Sequence, residues 1–309
     1  MAEQQPPTPQ GDLFDPPGLI DSPDALAALL PRLQAAEWLA IDTEFMRERT
    51  YYARLCLVQL ATPDEQAWCI DPLALDLEPL RPLLTDPTTT KVFHSATQDL
   101  EILTRHFASA IGPVFDTQLA ATTLGLGDQI GYARLVQARL DVELAKGHTR
   151  ADWSRRPLGP ELIEYALEDV RYLARLYPAL CAEVEQRGLS GSLAADHRRL
   201  GDPATHHPDP ARAWERIRVN GPLDDTERAV LMRLAAWREE QARARDRPRG
   251  WIAKDGLLVD IARRRPTTPQ ELGQLRGTER LDAGVATGLL ACVAGAAGEA
   301  AIHPGDPVT

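Results

Sequence analysis

The sequence predicts an α/β fold in which a mixed sheet is flanked by helices and followed by a small all-α helical bundle. Three observations predict it. Short apolar runs separated by polar turns fill residues 38–71, strand and helix patterns alternate from Lys91 onward, and the last third carries helical periodicity without strand signals. At 309 residues, 44% hydrophobic and 26% charged, the chain can bury a real core as one large domain or two smaller ones.

The elements follow in order. Residues 1–17, "MAEQQPPTPQGDLFDPP", combine an early acid with many prolines and no apolar core, the composition of a disordered leader and not of a signal peptide. "SPDALAALLPRLQAA" opens a helix at Ser22 with Pro23 at the first helical position. "EWLAIDTEF", "RLCLVQLAT" and "QAWCIDP" read as three strands of an antiparallel meander. "KVFH", "SATQDLEILTRHF", "PVFD" and "TQLAATTLG" then alternate strand and helix, as a parallel continuation of the sheet requires. Ser95 and Gln98 have capping-box spacing at the first of these helices. In "GPELIEYALEDVRYLARLYPALCAEVEQRG", Leu162, Ala166, Val170, Leu173 and Tyr177 recur at helical spacing.

Residues 189–209 gather Gly, Ser, Pro and Asp without sustained periodicity, which places a linker there between a domain over 18–188 and another over 210–290, with a tail at 291–309. The second domain is helical by pattern: "DDTERAVLMRLAAWREEQARARD", "LLVDIARRR", and "TPQELGQL", where Thr268, Pro269 and Glu271 form a capping box. Trp214, Leu231, Leu234 and Trp251 read as its core. "AGVATGLLACVAGAAG" is uncharged but too short and too rich in Gly and Ala to span a bilayer, so a packed helix and no membrane partner are expected. Cys56, Cys69, Cys181 and Cys292 show no metal or disulfide spacing and read as buried thiols of a cytoplasmic protein.

A net charge of -11 argues against nucleic-acid binding if it is spread evenly. It is not spread evenly. From Ala211 to Arg265 there are about 14 basic and about 9 acidic residues, so a basic segment adjoins a strongly acidic remainder. Arg243, Arg245, Arg247 and Arg249 are candidates for an auxiliary surface that draws in a polyanion.

Three places put acids where the pattern calls for apolar residues. Asp42 and Glu44 interrupt "WLAIDTEFM" two positions apart, so a strand points both the same way. Asp99 falls in the first turn of the helix after "KVFH". Asp169 lies among Leu162, Tyr165, Ala166, Leu173 and Leu176, on or beside a buried stripe. Each has an ordinary reading alone: a strand-end acid, a helix-dipole acid, and a surface partner of Arg171 or Arg175. Together they make a carboxylate cluster whose desolvation costs several kcal/mol per charge unless cations complete it. All-oxygen ligation suits Mg2+ or Mn2+. Tyr165, four residues before Asp169, shares its helix face and is suited to orienting a metal-bound water, not to deprotonating it.

"IDTEF", "RERTYYARLCLVQLA", "VFHSATQDLEIL", "FDTQLAA", "HTRADWSRRPL" and "YALEDVRYL" together resemble the ribonuclease D family of DEDD exonucleases, in the variant with tyrosine in the third motif. The resemblance covers roughly residues 18–188 and implies a ribonuclease H-like fold with 3′-to-5′ exonuclease chemistry on two divalent ions. It implies that Asp42, Glu44 and Asp169 hold one ion, that Asp42 bridges to the second with help from Asp99, and that Tyr165 positions the attacking water. By the same resemblance His94 and Gln98 touch the terminal nucleotide, the ordinary alternatives being a strand-end histidine and a capping-box glutamine. Phe45 and Met46 are placed to stack on or wedge against the last base, with core packing the alternative for Phe45, and one of Arg150, Arg155 and Arg156 is expected to meet phosphate, the others being surface charge, with Trp153 as an anchor. Asp71, Asp116 and Glu168 miss the motif positions. The basic region resembles the HRDC domain; longer relatives carry two such domains, and this chain has room for one. The expected activity is a monomeric exoribonuclease trimming 3′ ends of structured RNA such as tRNA precursors. The alternatives are a DNA exonuclease on the same fold and a non-catalytic RNA-binding protein.

Overall fold

The computed structural model describes residues 18–144, 151–206, 209–279 and 281–300. These divide into two compact units, one running up to Met46 and over Arg54–His206, the other taking Arg47–Ala53 and the chain beyond residue 208. In the first unit the order is β1 (Leu19–Ile20), α1 (Pro23–Gln34), β2 (Trp38–Met46), β3 (Arg54–Ala61), β4 (Ala67–Ile70), α2 (Arg81–Thr85), β5 (Thr90–Phe93) and α3 (Thr97–Phe107). There follow β6 (Val114–Asp116), α4 (Thr117–Thr123), α5 (Tyr132–Leu140), α6 (Pro160–Gln186), α7 (Ser190–Gly201) and α8 (Pro203–His206).

The six strands form one sheet in the order β1-β4-β3-β2-β5-β6. β2, β3 and β4 pair antiparallel, while β5 joins β2 and β6 joins β5 in parallel, so the meander and the βα alternation share one mixed sheet. β1 pairs parallel with β4, an edge that two residues are too short to announce in a sequence. Helix α6 supplies Val170, Leu173, Leu176, Leu180 and Val184 to a core with Trp38, Ala40, Ala61, Val92 and Phe115. Its first turns supply Ile163, Ala166 and Leu167 to a second core with Cys56, Leu57, Cys69 and Trp153. One helix thus spans both cores.

Two local expectations are corrected. Ser95 does not cap α3: it sits at φ 59°, and the N-cap is Ala96 with no side-chain cap. The buried carboxylate of Asp116 takes over, accepting from the backbone N–H of Ser95 (3.1 Å) and Ala96 (2.8 Å) while also capping α4 through Gln118 (2.7 Å) and Leu119 (3.3 Å). An ionised acceptor outcompetes a hydroxyl for N–H groups at helix starts. The stretch read as an irregular linker holds α7 and α8, because Leu193 and His197, one turn apart, give a buried face that the Gly- and Asp-rich composition hides.

The second unit contains α9 (Asp225–Ala244), α10 (Arg249–Ile252), α11 (Asp255–Arg264), α12 (Pro269–Gly273) and α13 (Ala283–Ala300). α9 opens with a complete capping box between Asp224 and Glu227. Leu231 and Leu234 are core residues as expected, joined by Leu258, Ile261, Leu289 and Val293, with Trp214 packed at the edge. Trp251 is not core: it is 54% exposed, because the single turn of α10 turns Ile252 inward instead. α13 continues past residue 290, where a tail was expected, since Val285, Leu289 and Val293 carry one buried stripe. The leader lies outside the described residues. Among the described residues, no helix is long and apolar enough to cross a membrane, and the four cysteines are free, Cys56 and Cys69 being buried.

Candidate active site

Strand β2 is central in the sheet, and Leu39, Ala40 and Ile41 are wholly buried; from Asp42 onward alternate positions open toward one face. Asp42 and Glu44 point there together, as the pleat requires. One turn past Tyr165 in α6 comes Asp169. Asp42, Glu44 and Asp169 each offer an oxygen, and these atoms all lie within 4.8 Å of one another. Tyr165 hydrogen-bonds the Asp169 carboxylate across one helical turn.

Asp99 is 7% exposed, and its Oδ1 accepts from the Thr43 hydroxyl at 2.5 Å. Its charge adjoins that of Asp42, yet it stands outside the set of three that converge within 4.8 Å. Thr43 was not singled out in the sequence; a threonine between two acids on a strand gives no signal of its own.

The electrostatics of the cluster run in one direction. Burial pushes Asp42 up to about 6. Burial, then the charges of Asp42, Asp169 and Asp99, push Glu44 up to about 9. Burial and Asp42 lift Asp169 to about 8 although the Tyr165 hydroxyl pulls it down. Burial first and Asp42 second hold Asp99 well above the carboxylate range. Burial and the same acids raise Tyr165, so its hydroxyl stays protonated and donates. Among the described residues no Lys or Arg pairs with any of the four acids. Arg171 is held by Glu164 (2.5 Å) and Arg175 by Glu65 (2.6 Å), so the ordinary partners proposed for Asp169 are engaged elsewhere. A set of converging carboxylates with no protein cation fits a hard divalent ion in its oxygen chemistry.

A cavity of about 140 Å³ adjoins the acids, lined by Asp42, His94, Tyr132, Tyr165, Asp169 and Leu173. His94 Nδ1 lies 2.9 Å from the Thr117 hydroxyl, and its Nε2 is buried without a partner. Tyr132 sits edge-on to the His94 ring, with centroids 5.4 Å apart, and its hydroxyl donates to the backbone carbonyl of Asp169. Tyr132 opens α5 and belongs to no motif, so sequence reasoning missed it.

The remaining expected contacts divide. Gln98 is exposed on the first turn of α3. Phe45 and Met46 are half-buried at the end of β2, and Met46 packs against the core around Trp153. Arg155 is exposed, Arg150 lies outside the described residues, and Arg156 is engaged in an ion pair with Asp71 at 2.5 Å. Asp71 and Asp116, set aside from the chemistry, prove to be buried structural acids.

Residues 17–185 match the family of 3′-5′ exonucleases, and residues 227–281 match the HRDC domain. Ribonuclease D of Zymomonas mobilis is 45% identical over 263 residues, 84% of this chain and 67% of the relative. The crystal structure of Escherichia coli RNase D, described as an exoribonuclease involved in structured RNA processing, is similar with a TM-score of 0.79 and 34% identity, over 91% of this chain and 75% of that one. Brucella melitensis NrnC with bound Mg2+ is similar with a TM-score of 0.51 and 29% identity, over 61% of this chain and 92% of that one. With its acids converging on one face of a mixed sheet and relatives of this length and identity, the chain belongs to the ribonuclease D family.

Proposed function

We propose that this chain is a 3′-to-5′ exoribonuclease that trims free 3′ ends of structured RNA, tRNA precursors among them, releasing nucleoside 5′-monophosphates. The observation that carries the reading is the convergence of Asp42, Glu44 and Asp169 within 4.8 Å, without a protein cation and with Tyr165 over the cluster. Asp42, Glu44 and Asp169 would hold one divalent ion and Asp42 would share a second, with Asp99 steadying the set through Thr43. When bound, such ions supply an activated water and stabilise the leaving 3′ oxygen. Tyr165 donates its hydroxyl toward the site and orients the water; it does not take the proton, because its own is held too tightly.

His94, which lines the cavity, contacts the terminal nucleotide, and Phe45 and Met46 border the base. Gln98 and Arg155, both exposed, meet the backbone further along. The Mg2+ bound in NrnC supports a hard divalent ion, Mg2+ or Mn2+, at these acids. The free thiols suit a reducing cytoplasm, and a monomer completes the reading. Digestion of a labelled tRNA precursor, a matched DNA strand and a 3′-phosphorylated RNA tests it. Stepwise loss of the RNA alone, abolished by chelator, is expected; preference for DNA, or full activity in chelator, would refute it.

A further inference from the structure

We infer that Trp153 and the Arg156 guanidinium are positioning residues for Tyr165, a brace that fixes the tyrosine from outside the metal cluster. The inference rests on the role assigned to Tyr165 above. Helix α6 begins at Pro160 after Gly159 with Pro at its first position but no side-chain cap, and Tyr165 stands on its first turns. What holds it comes from the segment at 151–158. Trp153 there is 1% exposed and among the largest fully buried side chains, although it lies on a turn. Its ring is 6.2 Å from the Tyr165 ring at an interplanar angle of 31°. Leu158, Ile163, Ala166 and Leu167 complete the core around the pair.

The indole Nε1 of Trp153 is buried without a partner. The indole is held by its packing alone, so the loop that carries it needs a fixed point. Arg156 supplies it. Its Nε donates to Asp71 Oδ2 at 2.5 Å, and Nη2 donates to Asp71 Oδ1 and to the Cys56 carbonyl at 2.7 Å each. Nη1 donates to the carbonyls of Trp153 and Arg155 at 2.8 Å each, which uses all five guanidinium hydrogens. Asp71 is 3% exposed, so the pair is shielded on the acid's side.

The Cys56 carbonyl has a particular place. Glu44 pairs with Leu57 and Phe45 with Leu55, so Cys56 is the extra residue of a bulge in β3 beside the catalytic strand. The same guanidinium therefore grips the bulge next to the partner of Glu44 and the loop that sets Trp153 against Tyr165. Lysine at 156 cannot reproduce this, having one point charge and no planar fork.

The test compares Trp153→Leu and Arg156→Lys with wild type, and again in a Tyr165→Phe background, on RNA with a free 3′ end. In the wild-type background kcat should fall about tenfold or more, a loss typical of a misplaced catalytic group, with KM and Mn2+ affinity within about twofold. Trp153→Phe, which keeps an aromatic ring, should recover most of kcat and serves if the leucine variant folds poorly. In the Tyr165→Phe background the same substitutions should change kcat less than about twofold, because the hydroxyl they position is gone. An equal factor in both backgrounds, or a loss carried by KM or Mn2+ binding, would overturn the brace. Full activity of Tyr165→Phe alone would overturn the tyrosine's role and the brace with it.

Discussion

Glu44 on β2 and Glu239 on α9 are both carboxylates set among apolar side chains, in different units of the chain, and their surroundings are opposite. Glu239 is 1% exposed, and burial raises it, but Arg249 bonds both its oxygens, the Tyr51 hydroxyl donates to it and Arg243 stands 3.7 Å away. The outcome is a carboxyl below its ordinary range. Glu44 has the charges of Asp42, Asp169 and Asp99 beside it and, among the described residues, no ion-pair partner, and burial and those charges drive it up to about 9. Asp71, clasped by Arg156 in the same unit as Glu44, shows that the contrast does not come from the unit. An acid that serves the fold is delivered with its partners, a cation at Glu239 and Asp71 or backbone N–H groups at Asp116; the cluster acids are left without a cation and keep their protons unless charge comes from outside the chain.

The largest expected effect breaks the comparison by removing one charge from each side. Asp42→Asn should lower turnover by at least about 10²-fold, the scale of losing a group that stabilises the reacting charge, while the metal-free protein melts higher than wild type near pH 8. Glu239→Ala should do the reverse to stability. It should cost the helical unit about 2–3 kcal/mol, less than the ~3–5 kcal/mol of a wholly buried pair, because Arg249 is 39% exposed and regains water. Thermal and denaturant melts of both variants check this. A destabilised Asp42→Asn, or an unaffected Glu239→Ala, would show that the two acids are not opposites.

A smaller effect sharpens the same contrast through pH. Asp42, Asp169 and Glu44 are raised to about 6, about 8 and about 9, so the folded state holds protons that the unfolded chain releases near pH 4. Their contribution is therefore complete at low pH and is lost as pH rises through those values. Glu239, which is lowered, contributes above the ordinary glutamate range and loses its contribution as pH falls. Melting temperature in chelator should fall from about pH 4, where the unfolded acids ionise, to about pH 9, where the last of the three ionises in the fold, and Mg2+ or Mn2+ should flatten that fall by binding only the folded state. A fall of the same slope with saturating metal would separate the pH effect from the cluster.

The sequence disclosed what rests on periodicity and spacing. The mixed sheet, the i, i+2 acids on a strand and Tyr165 four residues before Asp169 all lie where pleat and helix pitch put them. Contacts between distant segments left no pattern. Nothing near Asp116 says that it will cap a helix 20 residues upstream, and nothing near Thr43 says that it will hold Asp99. Arg156 reads as one more phosphate-binding arginine until its fork is seen closed on Asp71. Composition misled where burial is sparse: the Gly- and Asp-rich stretch is helical on the strength of two buried side chains, and a tryptophan read as core is exposed.

That tryptophan carries the smallest expected effect. Of the four arginines proposed as a polyanion surface, Arg249 and Arg243 are gathered around Glu239 and Tyr51, and Arg245 is bound to Asp282 at 2.8 Å. Arg247 instead lies with its guanidinium carbon 5.8 Å from the centre of the exposed Trp251 ring. An open indole flanked by a cation is a stacking platform for an unpaired base, and the charge is of the right sign for its phosphate. Trp251→Ala should weaken binding of a long single-stranded RNA by about 1 kcal/mol, the low end for one stacked base at an open site. Arg247→Ala should reduce the salt dependence of that binding by about one phosphate contact. Neither should alter cleavage of a dinucleotide, since neither substitution touches the acids or Tyr165. Equal affinities of Trp251→Ala and wild type for the long RNA would leave the arginines of α9 and α10 with a structural role like that of Arg249, and would move the search for the RNA path away from this face.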